Sequence, residues 1–208
     1  MNDPAPALLR LPPELDVPSI GPTDRLVGLP ALRLTSSRDG SPPRLSTSVR
    51  VARRGGELLV RFDGRDAGVV ATRTRRDDAL WTEDVFEVFL TPHDPPTLYY
   101  EFEVNPLGAL FDARVESPEG RRETMRVDVE WNCPGFRARV ARRPDRWSAR
   151  IAIPLGPLGG AAEPVWRANF FRIDRGSGSP DEFTAWSPTG ADPPDFHRPD
   201  RFGILRFA

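Results

Sequence analysis

The sequence is poor in the side chains that usually build covalent or metal cross-links. It has a single cysteine, Cys133, and two histidines, His93 and His197. One cysteine excludes an internal disulfide, and the cysteine and histidines together are too few for a structural zinc site. Disulfide scaffolds and zinc modules are therefore excluded as fold classes.

Long apolar runs are also missing. No segment approaches the length of a transmembrane helix. The start, MNDPAPALLRLPPELDVP, holds no apolar stretch of the length found in secretory signals. The sequence as written thus predicts a cytoplasmic protein without a membrane partner.

Lysine is absent, so arginine carries all of the side-chain positive charge apart from histidine. The 29 basic residues nearly match the 30 acidic residues, which leaves a formal net charge of -1. This balance gives no overall electrostatic attraction to nucleic acid or to an anionic membrane. A chain of 208 residues is long enough for one sizeable domain with one core.

The stretch 81–90 gives the clearest secondary-structure signal. From residue 85 onward the side chains alternate between two faces, which predicts a β-strand with one fully apolar side. The apolar face has Phe86, Val88 and Leu90, and the other face has Val85, Glu87 and Phe89. Glu87 is the exception, because a carboxylate is costly to bury without a partner. We expect Glu87 to face a wet groove or to have a partner.

Similar strand-like segments recur along the chain. Residues 46–52 and 57–63 flank two glycines in the pattern of a β-hairpin. Residues 99–104 alternate again, and Glu101 and Glu103 lie on the polar face. Further candidate strands lie at about residues 108–115, 124–131, 136–142, 147–153, 165–173, 183–186 and 202–207. No amphipathic helix pattern interrupts them.

This succession of strands predicts an all-β fold. Short strands without intervening helices are typical of an antiparallel β-sandwich of two sheets, of the jelly-roll or immunoglobulin-like kind. We assign residues 44–208 to this domain. Residues 1–43 are rich in proline and turn formers, and we predict an irregular leader that packs on the domain.

Carboxylates and histidines allow three alternative chemistries. Glu87, Glu101 and Glu103 on neighbouring strands could supply the carboxylate pair of a glycoside-active enzyme. Met125 with either histidine offers a pair of haem ligands. Loop aspartates could collect around Ca²⁺, with turn capping as the alternative role for each. The candidate calcium ligands are Asp63, Asp66, Asp84, Asp112 and Asp174.

Two tryptophans suit a binding site for a polar ligand. Trp81 precedes the strand that carries Glu87, and Trp186 lies beside a loop rich in proline and glycine. Two indoles facing each other across a groove would hold a sugar ring through its C–H faces, while carboxylates and amides bind the hydroxyls. Core packing is the alternative role for either indole.

Several short motifs follow one another along the chain. They are WTEDVFEVF at 81–89, YEFEVN at 100–105, Gly108, WSARIAIP at 147–154, WRANFFR at 166–172, AWSP at 185–188 and RFGIL at 201–205. In this order they resemble the family 9 carbohydrate-binding modules and their DOMON-like relatives. The match covers about residues 45–208. Each motif is weak alone, whereas their joint order is fairly specific.

The resemblance implies a β-sandwich that holds the end of a glucan or xylan chain between two tryptophans. On this sequence those tryptophans are Trp81 and Trp186, and the carboxylate that binds the sugar is Glu87. The resemblance also implies a role for Asn169 on a later strand. Glu103 stands where the family carries an arginine that contacts sugar hydroxyls.

We therefore expect a non-catalytic carbohydrate-binding domain linked to polysaccharide or oligosaccharide degradation. The family's members are mostly attached to secreted polysaccharide hydrolases. The alternatives are a glycoside-active enzyme, a haem carrier of the DOMON-like kind and a protein-interaction module. The identity of the sugar and the oligomeric state stay open at this point.

Overall fold

The computed structural model describes residues 11–159, 163–176 and 178–207. In these ranges the chain forms fourteen strands and five short 3₁₀ turns, with no α-helix. The strands are β1 (Glu14–Val17), β2 (Leu32–Arg33), β3 (Thr35–Ser36), β4 (Thr47–Arg54), β5 (Glu57–Arg65), β6 (Val85–Thr91), β7 (Leu98–Val104), β8 (Leu110–Glu116), β9 (Arg126–Asp128), β10 (Arg137–Arg143), β11 (Arg146–Pro154), β12 (Val165–Asp174), β13 (Glu182–Ala185) and β14 (Gly203–Phe207). The 3₁₀ turns are Leu26–Gly28, Leu80–Thr82, Arg122–Thr124, Gly156–Leu158 and Pro199–Arg201.

The strands form two sheets. The larger sheet has nine strands in the order β1-β14-β12-β6-β7-β8-β9, and β13 and β3 continue beside β12. The smaller sheet has five strands in the order β10-β11-β5-β4-β2. Neighbouring strands are antiparallel except β1 and β14, which are parallel. The predicted antiparallel β-sandwich is confirmed. In the described ranges, no helix is long and apolar enough to cross a membrane.

The segment predicted as an irregular leader contributes three short strands. β1 pairs with β14, β2 extends the smaller sheet beside β4, and β3 pairs with β13. Their two to four residues are too few for a strand pattern to stand out among the prolines. Residues 1–10 lie outside the described ranges.

The main core lies between the sheets and contains the predicted apolar face of β6. Phe86, Val88 and Leu90 are fully buried there. The Phe86 ring stacks on Phe62 of the smaller sheet with ring centroids 4.6 Å apart. Burying a side chain of this size contributes about 1.5–3 kcal/mol. The two-residue period of the sequence thus determines which face of β6 packs against the other sheet.

A second apolar cluster covers the outer face of the nine-stranded sheet. Val85 and Phe89 of β6 and Phe171 of β12 are fully buried in it. Loop residues such as Phe196 and Phe202 complete this cluster. The central strands are therefore buried on both faces. A pocket between the loop residues of this outer cluster reaches the side chains of the nine-stranded sheet.

Arg172 on β12 ties the two sheets together through a buried polar network. Its side chain is 1% exposed and donates to the Thr47 hydroxyl at 3.1 Å and to the Asp66 carboxylate at 3.1 Å. It also pairs with Asp174 on its own strand. A buried guanidinium needs such partners, because an unpaired charge away from water is strongly destabilising.

The outer face of the five-stranded sheet carries a row of arginines. Arg139, Arg150 and Arg61 occupy directly paired positions on β10, β11 and β5, and Arg50 is paired with Arg61 from β4. Asp63 binds Arg61 at 2.6 Å and Arg50 at 3.3 Å. Like charges that face each other across strands are destabilising, and Asp63 offsets this repulsion at Arg61 and Arg50 but not at Arg150 and Arg139.

Candidate functional site

A pocket opens on the outer face of the nine-stranded sheet. It has a volume of about 390 Å³, and we call it the sheet-face pocket. Its lining includes Trp81, Glu87, Phe89, Glu101, Phe111, Arg122, Met125, Val127, Val129, Ile173, Arg175, Phe183, Pro194, Asp195, Phe196 and His197. Another depression, of about 460 Å³, lies on the five-stranded sheet, but no aromatic side chain lines it. A concave, largely apolar site with few polar groups is the usual form of a ligand site, which favours the sheet-face pocket.

Trp81 is the most exposed of the aromatic side chains that line the pocket. It lies in the 3₁₀ turn just before β6, and 41% of its surface is accessible. Its ring meets Phe111 edge-on with centroids 5.2 Å apart, which fixes the orientation of the indole. A rigid, half-exposed indole can bind a ligand without losing much side-chain entropy.

Phe183 on β13 and Arg175 supply a further part of the lining. The Arg175 guanidinium lies 5.1 Å from the centroid of the Phe183 ring, a cation–π contact. The same guanidinium donates to the Trp81 carbonyl at 2.7 Å and to Asp181 at 2.8 Å. Arg175 thus connects the turn that carries Trp81 to the strand that carries Phe183.

The floor of the pocket is acidic. Glu87 lies opposite Glu103 in the β6–β7 ladder, and Glu101 lies two residues before Glu103 on the same face of β7. One oxygen atom from each of the three carboxylates lies within 4.8 Å of the other two. We call these residues the glutamate cluster. Glu87 and Glu101 line the pocket, whereas Glu103 is fully buried beneath them.

Burial dominates the electrostatics of this cluster. It raises the pKa of Glu87 well above its ordinary value, and the neighbouring charge of Glu101 raises it further. The pKa of Glu103 is raised in the same way by burial and then by the charges of Glu87 and Glu101. Arg175 opposes the shift at Glu87. Both groups therefore keep their protons to a higher pH than ordinary glutamates, and ionisation of the whole cluster requires a compensating positive charge.

The structure corrects the predicted role of Trp186. This residue is 9% exposed and belongs to the core between the sheets, where its ring centroid lies 5.5 Å from that of Phe170. The strand before it, β13, is so short that its alternation leaves the direction of Trp186 undetermined. The predicted clamp between Trp81 and Trp186 is wrong, because the two indoles belong to different layers of the sandwich.

Asn169 also has a structural position rather than a place in the pocket. It is fully buried, its Nδ2 donates to the Ser187 carbonyl at 2.8 Å, and its Oδ1 accepts from the Ser187 amide at 3.0 Å. Oδ1 also accepts from the Phe170 amide. The side chain therefore fastens the segment after β13 to β12, and it does not line the sheet-face pocket.

The five aspartates predicted as calcium ligands do not gather around one point, although two of them meet at Arg172. Among the described residues, the glutamate cluster is the one acidic or soft-ligand group close enough to share an ion. Arginines bind four of the aspartates: Arg172 binds Asp66 and Asp174, Arg76 binds Asp112, and Arg61 and Arg50 bind Asp63. The fifth, Asp84, accepts from the backbone amides of Val70 and Arg175, each at 2.7 Å.

Met125 and His197, one of the two residue pairs predicted as haem ligands, both contact the side chain of Tyr99. The hydroxyl of Tyr99 lies 2.8 Å from Nδ1 of His197 and 3.5 Å from the sulfur of Met125. Both side chains thus pack against one hydroxyl group. His93 is exposed at the end of β6.

Sequence reasoning missed several lining residues, above all Phe183, Phe196 and Arg175. They belong to β13 and to loops rich in proline, glycine and aspartate, where no period predicts the direction of a side chain. The presence of Phe in these loops was the available signal for lining residues, since a loop Phe is more often packed against the domain than exposed.

Together, the fold and the pocket define a β-sandwich domain with an aromatic and acidic binding site on one sheet face. The family model for Carbohydrate-binding family 9 matches residues 40–207. The chain therefore belongs to this family. A curated "Extracellular protein" of Arthroderma benhamiae is 27% identical over 146 residues, which cover 62% of this chain and 64% of the relative. The chain thus spans under two thirds of that relative's length.

Solved structures show the same fold. A candidate carbohydrate-binding protein from Bacteroides uniformis is similar with a TM-score of 0.78 at 21% identity, covering 95% of this chain and 100% of the other. A family 9 carbohydrate-binding module from Caldicellulosiruptor kristjanssonii in complex with glucose has a TM-score of 0.62 at 12% identity, with 94% and 95% covered. Its complex with cellotriose gives 0.63 at 11% identity, with 92% and 93% covered.

Proposed function

We propose that this protein is a non-catalytic carbohydrate-binding domain whose ligand occupies the sheet-face pocket. The observation that carries the proposal is the combination of a half-exposed indole, Trp81, with carboxylates at the base of the same pocket. The C–H face of a sugar ring packs on an indole, while its hydroxyls donate hydrogen bonds to carboxylates. No other described depression of the surface combines these two features.

The ligand is held from one side by Trp81 and from another by the wall that contains Phe183. This arrangement replaces the predicted pair of tryptophans, because Trp186 belongs to the core. Arg175 lies within the lining and offers a donor to a sugar hydroxyl. A pocket of about 390 Å³ suits one or two sugar rings rather than a long chain.

The placement of the carboxylates argues against glycosidase activity. A glycosidase needs an acid and a second carboxylate on either side of the scissile bond. Glu87 and Glu101 instead project from adjacent strands of one sheet and approach a ligand from the same side. They suit the orientation of hydroxyl groups better than the cleavage of a bond between them.

Glucose and short β-glucans are the ligands to test first. The solved family 9 module from Caldicellulosiruptor kristjanssonii is in complex with glucose in one structure and cellotriose in another. Binding of such fragments would link this protein to polysaccharide or oligosaccharide degradation. We infer the ligand class from family membership and from the pocket together.

Calorimetric titration of the purified protein with glucose, cellotriose and xylotriose tests the proposal. Trp81→Ala should weaken binding by about 1–3 kcal/mol, since it removes the apolar face on which the ring packs. Val165→Ala is the matched control, because Val165 is 38% exposed and lies outside the pocket. Equal affinity of the Trp81 variant and the wild type, or no binding of any glycan in a broad screen, would contradict the proposal.

A further inference from the structure

The glutamate cluster brings three buried carboxyl groups together, and a neutral sugar cannot compensate their charges when they are ionised. Glu87, Glu101 and Glu103 are 2%, 6% and 0% exposed, so water screens none of them well. The cross-strand pairing of Glu87 with Glu103 places two carboxylates directly opposite each other, which is destabilising without a counter-ion. When both groups are ionised, this pairing therefore lowers the stability of the folded state.

Several oxygens of the cluster also lack a hydrogen-bond donor. Oε1 of Glu87 and both carboxylate oxygens of Glu103 are buried, and no N–H group or hydroxyl among the described residues donates to them. Within the described part of the chain, the carboxyl group of Glu101 is the one side chain that hydrogen-bonds to Glu103, which it can do when one of the two is protonated. Buried polar atoms are nearly always paired in folded proteins. These oxygens converge on their neighbours, and one from each residue lies within 4.8 Å of the others. The arrangement thus points to a positively charged species between them.

No side chain fills that role among the described residues. Arg175 is the cation whose charge acts on Glu87, but its terminal nitrogens donate to Asp181 and to the Trp81 carbonyl. The other arginine in the lining, Arg122, pairs with Asp195 at 2.7 Å. The compensating charge therefore comes either from a bound cation or from protons taken up by the carboxyl groups.

We propose that the glutamate cluster binds a divalent cation of the calcium class at the floor of the sheet-face pocket. Carboxylate oxygens are the ligands that Ca²⁺ prefers, at roughly 2.3–2.6 Å. Two oxygens on opposite sides of such an ion are roughly 4.6–5.2 Å apart. Oxygens that lie within 4.8 Å of one another are close enough to share one such ion.

The three carboxyl groups lie at two depths below the surface, and this places the ion at the pocket floor. Glu103 holds the ion from beneath, and Glu87 and Glu101 hold it at the level of the pocket floor. Ca²⁺ takes about 6–8 oxygen ligands, so positions left by three carboxylates stay open toward the pocket. Water or another oxygen ligand can fill them. The proposal concerns the ion alone and does not rest on carbohydrate binding.

Terbium luminescence measures this binding in the absence of sugar. Tb³⁺ replaces Ca²⁺ at oxygen sites, and an indole near the ion sensitises its emission. Trp81 lines the same pocket as two of the ligands and can act as that sensitiser. The full chain is stripped with chelator, titrated with Tb³⁺ at pH 7.5 and then back-titrated with Ca²⁺. Thermal unfolding of the same samples with and without Ca²⁺ gives a second readout.

Isosteric variants assign the signal to the cluster. Glu103→Gln and Glu101→Gln keep the shape of the ligands and remove one charge each. Each should weaken Ca²⁺ binding at least about tenfold, by comparison with the losses seen when groups around a metal are removed. Glu116→Gln is the matched control, since Glu116 is exposed at the end of β8. The Ca²⁺ affinity of Glu116→Gln should equal that of the wild type.

The expected result is a saturable emission that Ca²⁺ abolishes, together with a rise in unfolding temperature that both cluster variants lose. The absence of sensitised emission and of a calcium-dependent shift in the wild type would overturn the proposal. Emission that is unchanged in Glu101→Gln and Glu103→Gln would overturn it as well. The cluster would then hold protons shared between its carboxyl groups. Because no sugar is present, neither outcome bears on the carbohydrate titration.

Discussion

Replacement of Arg172 by Met tests how the two sheets are held together. The guanidinium is the buried partner of Asp66 and Asp174, which are 5% and 4% exposed. Removal of one partner from a buried ion pair costs about 3–5 kcal/mol, because the other charge stays buried without compensation. A typical domain has a total stability of about 5–15 kcal/mol. The variant should therefore lose a large share of its free energy of unfolding.

The size of this loss can be measured by urea unfolding and by calorimetry. For a domain of this length, each kcal/mol lowers the unfolding temperature by about 2–4 °C. The Arg172→Met variant should thus unfold about 6–20 °C below the wild type. Arg146→Met is the control: its pair with Asp145 is about half exposed, with side-chain exposures of 55% and 52%. Such surface pairs contribute about 0–1 kcal/mol.

The pH dependence of the loss identifies its cause. Burial already raises the pKa of Asp174, and the charge of Arg172 opposes this effect. Without Arg172 the folded-state pKa of Asp174 lies further above its unfolded-state value. The folded variant then takes up a proton as the pH falls. Its loss of stability relative to the wild type is therefore largest above this folded-state pKa and becomes smaller below it. A deficit below about 1 kcal/mol, or one equal at pH 8 and pH 5, would refute this reasoning.

Two further substitutions test the packing and the charge of the sheets. Gly203→Ala places a Cβ against the Trp186 ring and the Pro13 carbonyl, and we expect this overpacking to lower the free energy of unfolding, measured in urea, by about 1–3 kcal/mol. An unchanged unfolding midpoint would show that Trp186 is not packed there. Arg150→Glu puts a carboxylate between Arg139 and Arg61, and each new pair should add about 0.2–1 kcal/mol of stability. Added salt should reduce this gain by screening, and a loss of stability at low salt would contradict the account of the arginine row.

The succession of strands along the chain and the faces of the central strands could be predicted from the sequence. Alternation in β6 and β7 is strong because one face of each strand packs between the sheets, as Phe86 and Phe102 do. The same alternation placed Glu87 and Glu103 on the other face. Their convergence could not be predicted, because it depends on the register of β6 against β7.

The failures concern residues whose surroundings come from distant parts of the chain. Trp186 follows a four-residue strand, so no period distinguishes the core from the pocket. The calcium prediction rests on the position of the aspartates at predicted strand ends, and it misses arginine partners that are distant in the sequence. Arg172, for example, is separated from Asp66 by 106 positions. Such partners become visible when the sheets are assembled, and local sequence patterns do not contain them.

The central claim is that a sugar binds beside Trp81, and the indole N–H resonances of the five tryptophans test it most directly. Trp81 is 41% exposed in the pocket, whereas Trp147 and Trp166 are each 1% exposed in the core. In ¹H–¹⁵N spectra assigned with Trp81→Phe, titration with a bound glycan should shift the Trp81 indole signal and leave the Trp147 and Trp166 signals in place. A glycan that binds without moving the Trp81 resonance would contradict the account.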